Sequence, residues 1–428
     1  MYDKAIINGR VYIEHEYVNT NIYVNGETIA KISEKVYPAT ETVNVHNALV
    51  YPALIDPHVH FDLDLGFIHS RDDFVAGTIQ AAYGGITTII DFLEPVDNPE
   101  ALEKAYYKRI EEAKNSVVDY MFHATIKNPQ CDLEEFVMKM KELHINSLKL
   151  FTTYSESGRR TYDDQIIELL KLSEKHKFLI LAHVENDDLI NLDENFTYKD
   201  LSKSRPSLAE TKEALHLAEF VRQYGGYLYM VHTSSGYTIE KLKKEYSDIL
   251  NRRFFIESCP QYFILTNDYF EREDGYLYTL APPLRKREER AILKQNIDNI
   301  FSIGTDHCAF LKDDKEKRLL KDIPLGIGGV EFSFDLMFDL FEEKIIDKMS
   351  YNLAKLHKLS KRGEIKVGNL ANIFVYELTD NLIDEFHGFT DYSVYKGMKR
   401  KGRVIHTMNR GVFIIKHLNL VNKNGKKI

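Results

Sequence analysis

The strongest constraint in this chain is an eightfold alternation. Eight short apolar, β-rich segments, ALIDPHVHF, ITTIIDF, DYMFHATI, SLKLFTTY, FLILAHVE, YLYMVHTS, RRFFIESCP and IFSIGTDH, recur between residues 53 and 307. Most of the gaps carry helical periodicity, as in PEALEKAYYKRIEEAK, DLEEFVMKMKEL, YDDQIIELLKLSEKH, SLAETKEALHLAEFV and TIEKLKKEY. Eight βα units in roughly 250 residues predict a closed α/β barrel of (β/α)8, TIM-like type. An open, doubly wound sheet ranks second, because no GxGxxG follows a first strand.

The flanks are different. KAIINGRVYI, NIYVNGETIAKISE with its Asn25-Gly26 hairpin signal, and ETVNVHNALVY read as strands, and similar ones return in NLANIFVYEL, KRKGRVIHTM and RGVFIIKH. The expected division is residues 1–51 and 363–428 as the two parts of one small β module, and 52–362 as the barrel.

A barrel of this kind reacts at the ends of its strands, so polar residues that gather there are candidates for chemistry. His58 and His60 lie late in the first segment, Lys149 in the fourth, His183 in the fifth, His232 in the sixth and Asp306 in the eighth. His58 and His60 are two apart, so both imidazoles point to one side of a strand. With 16 histidines in the chain, any one alone is more readily a hydrogen-bonded structural residue. Four histidines and an aspartate at matching ends of parallel strands point instead to one metal centre.

Lys149 conflicts with that centre as long as it is a cation. It is embedded in an apolar strand, NSLKLFTTYS, and faces the place where metal charge would gather. Two ions about 3.5–4 Å apart need a bridging anion. A carbamate formed on Lys149 from CO2 turns the ammonium into such an anion. Imidazole and carboxylate donors suit two zinc ions, with Mn2+ or Co2+ as alternatives.

Composition removes other classes. Cys131, Cys259 and Cys308 form no CxxC pair, which argues for a reducing compartment and against a cysteine metal site. The formal charge of -9 is spread along the chain, so neither nucleic acid nor a membrane surface is an expected partner. No apolar run nears the roughly 18 residues of a spanning helix, and the N-terminus has no signal-peptide core. A cytoplasmic location is the default.

The ordered stretches IDPHVHFD, GTIQAAYGGITTIIDF, SLKLFTTYS, LAHVEN, SRPSLAE, VHTSSG, ESCPQYF, APPLR and GTDHCAF resemble the cyclic amidohydrolases, most closely their hydantoinase and dihydropyrimidinase branch. The resemblance covers roughly residues 50 to 310 and implies a terminal β-sandwich beside the barrel. It implies a binuclear zinc site, with His58, His60, carboxylated Lys149 and Asp306 on one ion and Lys149, His183 and His232 on the other. A hydroxide between the ions would attack the ring carbonyl of a hydantoin or dihydropyrimidine, giving an N-carbamoyl amino acid. Asp306 would serve as base and then acid, and Tyr154 would hydrogen-bond the oxyanion. A homodimer or homotetramer is also implied.

Departures bear on the substrate. The branch usually has Ser-Pro-Pro where this chain has Ala281, Pro282 and Pro283, and Pro-Asn-Gly where it has Pro324, Leu325 and Gly326. Ala281 and Leu325 are thus expected to bind the ureide through main-chain groups. Arg71, Arg159 and Arg160, in the loops after the first and fourth strands, would suit an acidic side group. Dihydroorotases carry arginine where this chain has Asp62, and allantoinases commonly carry asparagine there, so both are alternatives ranked below ring opening of a hydantoin type. Non-catalytic scaffold relatives have lost metal ligands, whereas all six positions are filled here.

Overall fold

The computed structural model describes residues 1–428. The chain opens with five strands, β1 (Tyr2–Ile13), β2 (Glu16–Asn25), β3 (Thr28–Ser33), β4 (Ala39–Asn44) and β5 (Leu49–Pro52). Eight more follow: β6 (Leu54–Val59), β7 (Ile86–Phe92), β8 (Asp119–Thr125), β9 (Ser147–Phe151), β10 (Leu179–His183), β11 (Leu228–Met230), β12 (Phe254–Ser258) and β13 (Ser302–Ile303). The last four are β14 (Ile373–Leu382), β15 (Lys399–Asn409), β16 (Val412–Lys416) and β17 (Asn419–Leu420).

Strands β6 to β13 lie in sequence order in one sheet, each parallel to its neighbours. The sheet closes on itself where β13 returns to β6. There the Asp306 N–H donates to His58 O at 2.9 Å, and the His60 N–H donates to His307 O at 2.8 Å. This is the (β/α)8 barrel that the alternation predicts. Helices cover its outside, and polar side chains start three of them: Asp73 accepts from the Ala76 N–H, Asn98 from Ala101 and Asp132 from Glu134. The buried apolar faces of those helices merge with outward-facing strand residues such as Leu148 and Leu150 in one core.

Two barrel strands are shorter than their apolar segments suggest. β11 ends at Met230 and β13 at Ile303, so His232 and Asp306 lie just beyond strand ends rather than on them. Their backbones explain the early stop, since His232 (φ 41°) and Asp306 (φ 52°) occupy the left-handed region and cannot continue a ladder.

The other nine strands form a mixed sheet with β1 to β3 and β5 joined to β14 to β17, and β4 beside β1. Its inner face packs Ile6, Val24, Val43, Ile373, Val375 and Phe413 into a core of its own. The sheet meets the barrel at strand starts, away from the mouth. Buried Asp119, the first residue of β8, accepts from Arg362 Nη2 at 2.7 Å and from Arg410 Nε at 3.1 Å.

Candidate metal centre

Both histidines of the first segment and the aspartate of the eighth converge. His58 Nε2 and His60 Nε2 are 3.2 Å apart, and Asp306 Oδ1 lies 3.1 Å from the first and 3.2 Å from the second. A neutral imidazole pointing a lone pair at a carboxylate is unfavourable, so a group of this kind holds a proton or a metal cation. The tautomer is assigned from the other side of the ring. His58 Nδ1 is 2.8 Å from Glu257 Oε1, which leaves Nε2 as the free donor atom for a metal. Burial would lower the His58 pKa, but Glu257 and Asp306 outweigh it and raise it to about 9. Burial likewise pushes Asp306 up, and the facing histidines override it and hold the carboxyl well below its usual range.

Lys149, His183 and His232 surround this group. The His232 ring is 5.4 Å from that of His58 and 4.6 Å from that of His183. Lys149 is buried, as the sequence places it, with Nζ over the rings of Phe92 (5.3 Å) and Phe151 (5.4 Å) and no acceptor for its protons. Burial lowers its pKa to about 8, which brings the neutral, nucleophilic amine closer to reach at neutral pH. Burial also lowers the pKa of His183 and, further, of His232, so both rings stay neutral and able to bind a metal.

The supports of these side chains were not assigned from sequence. Glu257 holds the His232 backbone N–H (2.9 Å) as well as His58, and its Oε2 accepts from the Tyr229 hydroxyl at 2.7 Å. His183 Nε2 is 2.7 Å from Glu185 Oε2, and the same oxygen takes Arg205 Nη1 at 2.5 Å. Arg205 in turn lies under Tyr154, 4.7 Å from its ring centroid. Phe92 stacks on His60 at 4.8 Å. Asp56 accepts from Thr305 Oγ1 (2.6 Å) and from the His58 N–H (3.1 Å), binding the first strand to the last. Glu185 and Glu257 sit within LAHVEN and ESCPQYF, so a carboxylate at the end of one apolar strand and inside another was the available signal.

Above the group opens a cavity of about 430 Å³. Its lining includes His60, Lys149, His183, His232 and Asp306, together with Tyr154, Ala281 and Leu325. Tyr154 adopts φ 68°, and burial lifts its hydroxyl to about 12, so it remains a proton donor at neutral pH. The Ala281 and Leu325 segments are tied together from behind by Lys315, whose buried Nζ donates to Thr279 O at 2.7 Å and to Gly326 O at 2.6 Å. The loops after the first and fourth barrel strands overhang the mouth, through Leu63 to Phe67 and through Glu156 to Arg159. Two of the three arginines considered for an acidic group are engaged elsewhere. Arg71 donates Nε to Asp314 at 2.7 Å, Arg160 pairs with Asp187 at 3.2 Å, and neither lines the cavity.

A closed barrel with imidazoles and a carboxylate gathered at its mouth defines the class of metal-dependent barrel hydrolases. More narrowly, the chain belongs to the amidohydrolase family, whose model matches residues 49–414. It is 30% identical to a D-hydantoinase from Geobacillus stearothermophilus, over 99% of this chain and 95% of that protein. Among solved structures, a D-hydantoinase superimposes with a TM-score of 0.93 at 27% identity, covering 99% of this chain and 98% of the other. A dihydropyrimidinase from Brevibacillus agri does so with a TM-score of 0.92 at 25% identity and the same coverage.

Proposed function

We propose that the protein hydrolyses a cyclic amide or imide, opening a hydantoin or dihydropyrimidine ring to an N-carbamoyl amino acid. The observation that carries this reading is the meeting of His58, His60 and Asp306 beneath a cavity that Lys149, His183 and His232 also line. Relatives named hydantoinase and dihydropyrimidinase at full length support the same reaction.

The donor set fits two divalent ions, which we take to be zinc, with Mn2+ or Co2+ able to replace it. His58, His60, Asp306 and a carboxylated Lys149 would hold one, and Lys149, His183 and His232 the other. A carbamate fits the Lys149 site because a buried ammonium there has no hydrogen-bond acceptor, whereas an anion would face four imidazoles. When bound, such ions supply a water ionised near neutral pH and polarise the carbonyl it attacks.

The chain's own residues would do the rest. Asp306 takes the proton of the attacking water and passes it to the ring nitrogen as the C–N bond breaks. Tyr154 donates a hydrogen bond to the oxygen that gains charge in the transition state. Main-chain groups at Ala281 and Leu325 hold the ureide, at a spacing set by Lys315. Overall one water is consumed, one C–O bond replaces one C–N bond, and nothing is oxidised. A dimer or tetramer acting in the cytoplasm completes the proposal.

The test is a turnover screen of protein loaded with zinc and bicarbonate against hydantoin, 5-substituted hydantoins, dihydrouracil, dihydroorotate and allantoin, with metal content measured in parallel. Ring opening of the first three classes is expected. A protein that binds metal yet opens only dihydroorotate or only allantoin would redirect the assignment, and one that binds no metal and opens no ring would sink it.

A further inference from the structure

We propose that Arg159 selects cyclic substrates whose ring substituent ends in a carboxylate, so that the product is an N-carbamoyl derivative of an acidic amino acid. The inference rests on the ring-opening reading and adds the substrate class. Arg159 is the one arginine of its loop pair that lines the cavity and has no side-chain partner. Arg71 is fixed on Asp314 and Arg160 on Asp187. Its backbone N–H donates to Tyr154 O at 3.1 Å, which ties its position to the tyrosine beside the reacting carbonyl. Its side chain is half-buried and forms no ion pair, so a guanidinium there is partly stripped of water, and a ligand carboxylate would complete it in a two-pronged contact.

The other charges at the mouth do not fill that role. Asp193 already accepts from the Asn195 N–H at 2.9 Å, and Asp64 from the Gly66 N–H at 2.7 Å. Glu156 is exposed at the tip of the Arg159 loop and is the one acidic group there with no side-chain partner. Lys321, also on the cavity lining, adds a second cation without an ion pair. The apolar wall of Leu65, Phe67 and Leu192 would pack the methylenes of a short arm that ends at Arg159.

Zinc-loaded wild type would be assayed on 5-(2-carboxyethyl)hydantoin, its amide isostere 5-(2-carbamoylethyl)hydantoin, a 5-aminoalkyl hydantoin and 5-benzylhydantoin. The acid is expected to exceed its amide isostere in kcat/KM by about tenfold to a hundredfold. Arg159→Met should remove that advantage by lowering kcat/KM for the acid far more than for the amide, Arg159→Lys should restore part of it, and Arg159→Glu should reverse it. Thermal melts of each variant would match wild type, because the side chain holds nothing else in place. Equal rates for acid and amide, an equal loss of both in Arg159→Met, or a preference for the aminoalkyl substrate through Glu156 would each overturn the inference and leave ring opening intact. Failure of the wild type on every ring would overturn both.

Discussion

The floor and the rim of the cavity are built on opposite terms. On the floor three of the four histidines are braced by buried carboxylates: His58 and the His232 backbone by Glu257, and His183 by Glu185, which Arg205 holds in turn, while Asp56 ties the barrel seam. At the rim Phe67 and Leu192 stand in solvent, and Arg159 and Lys321 have no partner. The chemistry is therefore built into parallel strands that cannot shift without breaking buried pairs. Choice of substrate falls to loops that can change one residue at a time.

Attacks on the floor should have the largest effects. Lys149→Ala is expected to lose both metal and activity to the limit of detection, with partial rescue by short carboxylic acids. Metal analysis with turnover in added propionate checks it, and full activity in that variant would end the bridging-ligand idea. Asp306→Asn should keep the fold while turnover drops about 10²–10⁴-fold, the range for a lost proton carrier. Near-wild-type kcat in a correctly melting variant would contradict the assigned role. Glu257→Gln touches no substrate, so its expected effect is smaller, about 10–100-fold in metal affinity, read by competition with a chelator. Unchanged affinity would show that the floor does not depend on its outer carboxylate.

The floor's candidate ligands were easier to read in the sequence than their supports. HxH declared itself by spacing, and Lys149 by being a cation in an apolar strand. His183, His232 and Asp306 followed from their places at the ends of the fifth, sixth and eighth β segments. Glu257 was just as visible as a charge in FFIES, but what it serves depends on His58, 199 residues away in sequence. Lys315 looked like one of several lysines in a charged run, and only the fold reveals that it enters the interior to reach two carbonyls. Rim arginines were the least legible. Whether Arg71, Arg159 or Arg160 faces the cavity is decided by Asp314 and Asp187, which other loops bring to them. The short β11 and β13 were also hidden, because the left-handed backbone at His232 and Asp306 leaves no mark in the apolar pattern.

The last expected effect concerns stability rather than turnover or metal, and it asks whether the bracing of the floor extends below it. His357 is buried at 5.5 Å from the His123 ring, and its Nε2 has no partner. Burial depresses its pKa from 6.5 to about 4, so the folded state keeps it neutral while the unfolded chain takes up a proton below 6.5. The sign follows from proton counts. Stability from this group is fully present above pH 6.5 and is lost as pH falls towards 4, at most about 3 kcal/mol. Urea unfolding of wild type and of His357→Gln at pH 7 and pH 4.5 measures it. The wild type should lose more stability on acidification than the variant, and the gap between the two losses is the histidine's share. An identical loss in both would mean that His357 finds water or a partner when charged, and that the interior beneath the metal site is wetter than the floor above it.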